Sequence, residues 1–257
     1  RLIDHGIAPI ILERGKAVQE REQDVKKFCE TGMLDPDSNV QFGEGGAGAF
    51  SDGKLNTQTN DARNRDVLDT FVRFGAPEEV GYLGKPHVGS DNLKKVVANI
   101  RAHILRSGGE FRFCEQLTDV RLHGGRLEAV ITTRGEIACD ALVLAVGHSA
   151  RDTFEMLLAR GFVMEQKEFA VGVRIEHLQS SIGRAQYGAG YAALPAADYK
   201  LVSHASDRAV FTFCMCPGGV VIPSASEAGG VVTNGMSNYA RSERNANSAL
   251  VVQVRRS

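Results

Sequence analysis

The sequence predicts an α/β chain in two parts. Residues 1–165 read as a domain with a central parallel sheet, helical crossovers and a β-hairpin layer; residues 166–257 read as the start of a strand-rich domain. Three observations carry this. Apolar runs of buried-strand length, at 7–12 and 141–146, each end at a turn marked by Gly or Glu. Amphipathic stretches of helical period lie between them, at 61–74 and 91–105. From Phe162 onward, glycines and short β-branched runs replace the helical pattern.

Residues 1–6 read as a last helical turn, with Gly6 where a left-handed cap is wanted. The strand that follows should pair best over 10–12, because Pro9 has no N–H to give a ladder. Residues 16–28 are strongly polar and predict an exposed helix, the charge run at 20–27 being its solvated face. The segment 39–56 fits neither period. Val67, Leu68, Phe71 and Val72 share one face of a helix over 61–74. Ser90 or Asp91 caps a helix whose apolar positions run from Leu93 to Leu105, and Gly108-Gly109 stops it. Strands follow at 110–113, 117–122 and 126–133, with a turn at Gly124-Gly125. Gly135 leads into a strand over 136–146, almost wholly apolar from Ala141, and a helix over 151–160 ends at Gly161. Beyond it, short strands are expected at 171–175, 210–213, 219–222, 230–232 and 249–254, with few helical patterns before Asn245. Arg241, Arg244 and Asn245 read as a solvated helix start in preference to an anion site.

Composition narrows the function classes. Among 257 residues, 30 Lys and Arg stand against 31 Asp and Glu, a net charge of −1, which argues against a general nucleic-acid binder. With 43% hydrophobic and 24% charged residues the chain is ordinary for a folded protein. No apolar run is long enough to cross a membrane, and no secretory leader is expected. Five cysteines, an odd number scattered among apolar neighbours, suit a reducing cytoplasm. Cys214-Met-Cys216 lacks the spacing of a redox dithiol, so packing is the favoured reading. His87, His148 and His204 lack ligand spacing, and no metal site is expected; His204 is a secondary candidate for facing substrate. Both ends fall inside what read as structural elements, so the chain is expected to be a piece of a longer protein.

Three segments carry chemistry. A helix end, Gly, an apolar strand and Glu13 form the pattern of a second crossover in a dinucleotide-binding fold, where the acidic side chain takes ribose hydroxyls. The alternative is an ordinary acidic residue at a strand end. Between Asn39 and Asn56, Gly43, Gly45, Gly46 and Gly48 allow close approach of backbone to a ligand; Ser51, Asp52, Lys54 and Asn56 add polar contacts. The alternative there is a flexible surface loop. The run from Ala141 to Gly147 reads as a buried parallel strand with Gly at its carboxyl end, where ligands bind in open α/β sheets.

Together with the stretches at 86–93, 213–219 and 230–241, these segments resemble the family of FAD-dependent dehydrogenases of uncharacterised substrate, relatives of glutathione-reductase-type flavoproteins. The resemblance implies a three-layer (ββα) FAD/NAD(P)-binding fold and a partial substrate domain. FAD is the implied cofactor, with NAD(P)H a candidate electron donor and a small molecule as substrate. Glu13 would hold the adenosine ribose and Arg14 would lie beside the diphosphate or adenine. The loop carrying Gly43, Gly45, Gly46, Ser51, Asp52, Gly53, Lys54 and Leu55 would line the diphosphate, ribityl chain and flavin. Leu117 would offer backbone groups to the adenine, and Gly147 would sit near the dinucleotide. Two parts of the family pattern are missing from the chain: the glycine loop ahead of the first strand and the closing Gly-Asp segment. No catalytic residue is assigned, and neither nucleic acid nor membrane is expected as a partner. A nicotinamide-dependent reductase and a nucleotide-holding component with a non-redox or RNA-modification role remain as alternatives.

Overall fold

The computed structural model describes every residue except 58, 205, 206, 214, 256 and 257. The chain is mixed α/β, with four sheets among the described residues, and divides into two compact units. Unit 1 gathers Arg1–Gly46, Ile100–Glu165 and Ala225–Gly230; unit 2 gathers Ala47–Asn99, Gln166–Ser224 and Val231–Ser257. The 47–99 segment therefore clusters with the strand-rich part of the chain.

Unit 1 opens on a 3-10 turn, Ile3–His5, closed by Gly6 at φ 75° with its N–H on the Ile3 carbonyl. Strand β1 (Ile10–Glu13) follows, then helix α1 (Val18–Thr31). The solvated face expected over 20–27 is interrupted. Arg21 is fully buried and Val25 nearly so, because the helix packs against the 39–44 loop and Arg21 is that loop's hydrogen-bond donor.

Helix α2 (Arg63–Arg73) and the first turns of α3 (Ser90–Arg106) belong to unit 2, the division falling within α3. In unit 1, β2 (Glu110–Phe113) pairs in parallel with β1, from Ile10↔Glu110 to Glu13↔Phe113. Strands β3 (Leu117–His123), β4 (Arg126–Thr132) and β5 (Gly135–Ala138) form an antiparallel meander. Its first turn needs Gly124 and Gly125, at φ 55° and 77°, as a two-residue hairpin with both residues left-handed does. Helix α4 (Arg151–Ala159) packs on β3, and Arg160 forks onto the Asp119 carboxylate.

The strand expected over 141–146 does not form. The ladder of β5 ends with the Cys139 N–H on the Glu128 carbonyl, and residues 141–147 are non-regular. Val143 is 81% exposed and Leu144 42%. Apolar β-branched composition favours a strand but does not make one; the backbone needs a neighbour, and β1 and β2 pair with each other. Among the described residues, parallel pairing is confined to that β1–β2 pair.

Unit 2 carries β6 (Phe169–Leu178), helix α5 (Gln179–Tyr187), β7 (Val202–Ser203), β8 (Val210–Thr212), β9 (Val220–Pro223), β10 (Thr233–Met236) and β11 (Asn245–Val254). One sheet has the order β6-β11-β8-β7, and β9 pairs with β10. Its core includes Phe50, Val80, Val88, Val96, Met215 and Ala246. Three expectations change. Helix α5 was hidden by its weak apolar stripe. The strand near 230–232 lies instead at Thr233–Met236, with Val231 95% exposed. Asn245 opens a strand where a helix start was expected, because β6 supplies ten residues of antiparallel partner along β11.

Candidate functional site

Every side chain of the first patch comes from unit 1. β1 and β2 run in parallel, so their carboxyl ends open at one place, and a cleft of about 220 Å³ lies there. Arg14, Gly15 and Lys16 line it from the end of β1; Cys114 and Gln116 line it from the end of β2. Asp35 and Asp37 are on its wall. In open α/β sheets ligands bind at such strand ends.

Glu13 ties this corner together. Its Oε1 accepts the N–H groups of Gly15 (2.9 Å) and Gly43 (3.0 Å). Among the described residues Oε2 has no donor. Gly15 has to be glycine, since a Cβ there would stand 2.6 Å from the Asp37 carbonyl oxygen and from the Gly43 Cα. Gly43, at φ 115°, lies against Arg21, whose Cδ would be 2.4 Å from an added Cβ. Arg21 donates from Nε to the Asn39 carbonyl (2.7 Å), from Nη1 to Glu44 (2.7 Å) and from Nη2 to Val40 (3.0 Å). Burial pulls its guanidinium down to about 10, while the Glu13 and Glu44 carboxylates act the other way, so it remains cationic at neutral pH. Sequence reasoning missed Arg21; a cation within α1's charge run gives no local sign that it turns inward.

The two cations of the cleft are both paired. Arg14 Nη2 meets Asp152 at 2.7 and 2.8 Å, and its guanidinium lies 4.2 Å from the centroid of the Phe42 ring. Lys16 Nζ donates to Asp24 (2.9 Å) and Asp35 (3.3 Å). The Asp24 hydrogen bond leads in raising the Lys16 pKa, against the opposing effect of burial. A wider groove of about 400 Å³ runs along Phe111, Phe113, Arg134 and Glu136. It lies along the strands rather than at their carboxyl ends.

The second patch is in unit 2 and contains the later half of the glycine-rich segment. Buried Val40, Phe42, Ala49, Phe50 and Asp52 exclude the flexible-loop reading for the segment as a whole. Gly45 and Gly48 remain exposed, and Gly46–Phe50 forms a 3-10 helix. Residues 52–55 run antiparallel to 86–89, with Val88 N–H on the Gly53 carbonyl and Leu55 N–H on that of Pro86. Asp52, 2% exposed, receives the Arg241 guanidinium on both oxygens, the Nε bond being 3.0 Å. Lys54 Nζ stands 3.7 Å from Asp52 and donates to the Met215 carbonyl. Arg241 is thus an anchor for the loop, not part of a solvated helix start. Ser51 and Leu55 are half-buried beside this pair.

His87 stacks on Tyr239, with ring centroids 5.1 Å apart, and the Tyr239 hydroxyl donates to Glu79. That hydrogen bond, with burial and the Glu79 charge, pushes the Tyr239 pKa up to about 12. The folded state therefore holds this proton more tightly than the unfolded chain does. The stability it contributes is complete below the ordinary tyrosine value near 10 and is lost as pH rises through about 12. Ultraviolet titration should show one tyrosinate forming only near 12, and Glu79→Gln should bring it back toward 10. A wild-type protein whose tyrosines all titrate near the ordinary value would refute the contact.

The remaining predicted residues are scattered. Leu117 begins β3 opposite Thr132, half-buried. Gly147, at φ 73°, closes the exposed 141–147 segment, and His148 and His204 are exposed. Cys214 lies outside the described residues, while Cys216 is buried and bridges to Asn247 through its backbone. Among the described residues no cluster of His, Cys, Asp or Glu could hold a metal, and no helix is long and apolar enough to cross a membrane.

Residues 168–257 match a family model described as FAD-dependent protein, C-terminal domain-like. The chain is 52% identical over 257 residues to an uncharacterized protein of Clostridium beijerinckii, covering 98% of this chain and 48% of that protein. It thus spans about half the length of the curated relative it matches. Among solved structures, it is similar to the tetracycline destructase Tet(51) at 8% identity, covering 98% of this chain and 58% of that one, with a TM-score of 0.34. It is similar also to CtdE in complex with FAD at 12% identity, covering 95% and 58%, with a TM-score of 0.33. Both scores are too low to define a shared fold. The family match supports FAD as cofactor and a general flavoprotein role.

Proposed function

We propose that the chain is part of an FAD-dependent oxidoreductase, a dehydrogenase acting on a small molecule in the cytoplasm. In this reading unit 1 is most of a three-layer dinucleotide-binding domain, and its cleft at the ends of β1 and β2 takes the adenosine end of FAD. The observation that carries it is the position of Glu13: the last residue of a parallel strand, immediately before Arg14 and Gly15 of the cleft, with its Oε1 holding the Gly15 and Gly43 N–H groups. The paired cations of the cleft suit an uncharged base and sugar. In unit 1, the exposed backbone at Gly45 is the part of the glycine-rich segment that can approach the diphosphate closely.

FAD, when bound, supplies two-electron chemistry, and the protein supplies binding, orientation and exclusion of water. Glu13 holds the ribose, and Arg21 keeps the 39–44 turn closed behind it. In unit 2, the Asp52–Arg241 pair fixes the backbone that carries Ser51, Gly53, Lys54 and Leu55. Lys54 brings a second cation to one carboxylate, so the cluster carries net positive charge. NAD(P)H is the candidate electron donor.

The purified Clostridium beijerinckii relative should be yellow and release FAD on denaturation. A colourless relative that cannot be reconstituted with FAD would overturn the reading. In the present chain, Glu13→Ala should weaken FAD binding by about tenfold, the loss of one good charge-assisted hydrogen bond. Unchanged affinity would remove Glu13 from the site.

A further inference from the structure

We propose that Asp152 sets the nucleotide specificity of the cleft: by pairing with Arg14 it makes the cleft accept an adenosine with a free ribose 2′-hydroxyl and reject one with a 2′-phosphate. The inference rests on reading the cleft as the adenosine site. An arginine beside the acidic end of a nucleotide-binding strand is the group that can welcome a 2′-phosphate. Arg14 stands in that position, one residue after Glu13.

In this structure, however, its charge is already spent. Asp152 takes Arg14 Nη2 on both oxygens, at 2.7 and 2.8 Å, and the Phe42 ring lies 4.2 Å from the guanidinium. Only 13% of the Arg14 side chain is exposed. Asp152 is itself held in place. It lies in the first turn of α4, where a helix favours negative charge, and accepts the Thr153 N–H (2.8 Å) and the Gln116 amide (2.7 Å). Burial works to raise its pKa, but the bonds from Arg14 and Thr153 outweigh that and keep the carboxyl below its ordinary range. The other cation, Lys16, is committed to Asp24 and Asp35, and Asp37 shares the wall. An incoming phosphate would meet carboxylates whose cations are taken, and such like-charge contact is a strong device for rejecting a ligand. A neutral base and ribose meet no such cost.

The test compares binding of adenosine 5′-phosphate and adenosine 2′,5′-bisphosphate to the chain and to Asp152→Asn and Asp152→Glu, with thermal melting alongside. The wild type should prefer the 5′-phosphate by about tenfold or more. Asp152→Asn frees the Arg14 charge and should erase or invert that preference, and Asp152→Glu should restore most of it. A purely structural role would weaken both nucleotides alike and leave the ratio unchanged, which would overturn the proposal. If the wild type binds adenosine 5′-phosphate and FAD but the ratio does not move, only this inference falls. If it binds neither, the adenosine-site reading falls with it.

Discussion

Arg21→Ala is expected to lower the unfolding free energy by about 3–5 kcal/mol, the range for removing one partner from a buried charged network. Three of its nitrogens reach three different carbonyls, those of Asn39, Val40 and Glu44, and all three come from the turn that follows α1. Removing the side chain leaves those acceptors buried with nothing to replace the donor, and opens a void beside Gly43. Lysine keeps the charge but places it on a single atom, which cannot fork to three carbonyls. Arg21→Lys should therefore recover only part of the loss. Arg63, exposed and paired among the described residues with Asp61, is the control: Arg63→Ala should change stability by less than about 0.5 kcal/mol. Urea denaturation reads all three. A midpoint for Arg21→Ala equal to the wild-type value would show that the turn does not depend on it.

Asp52→Ala should cost about as much, roughly 3–5 kcal/mol, and more than Arg241→Ala. The asymmetry follows from the charges. Asp52 is 2% exposed and serves two cations, with Arg241 on both its oxygens and Lys54 at 3.7 Å. Without Asp52, two cations face each other in a partly buried corner. Without Arg241, the Asp52–Lys54 pair remains. The double variant should be less destabilised than the sum of the two singles, because each single strands a charge that the other removes. Denaturation midpoints for the four proteins complete the cycle. Equal losses from the two single variants, adding without coupling, would contradict the network.

These two anchors mark what the sequence could not show. Helices α2 and α3, the β3–β4 hairpin and α4 were legible because each is decided locally, by an apolar face of helical period, a Gly-Gly turn, or a stopping glycine. The strand at 10–13 and the acidic residue at its end were legible for the same reason. The 141–146 run failed because a strand needs a partner that its own residues cannot supply. The Arg21 donors and the Asp52–Arg241 pair span 18 to 23 and 189 positions, respectively, and no local pattern announces such a contact. At the proposed site, Glu13 was suggested by its place in a strand pattern and Arg14 only by the family resemblance. Asp152, which decides what Arg14 can bind, lies 138 residues away from it and was visible only in three dimensions.

In the proposed reading, the adenosine end of FAD occupies the cleft at the carboxyl ends of β1 and β2. Photolabelling with an azido-adenine analogue of FAD, followed by peptide mapping, tests it most directly. Labelled peptides should contain residues 14–16, 35–38 or 114–116, and excess FAD should suppress the labelling. Labelling confined to the Phe111–Glu136 groove, or spread over the surface and insensitive to FAD, would contradict the claim.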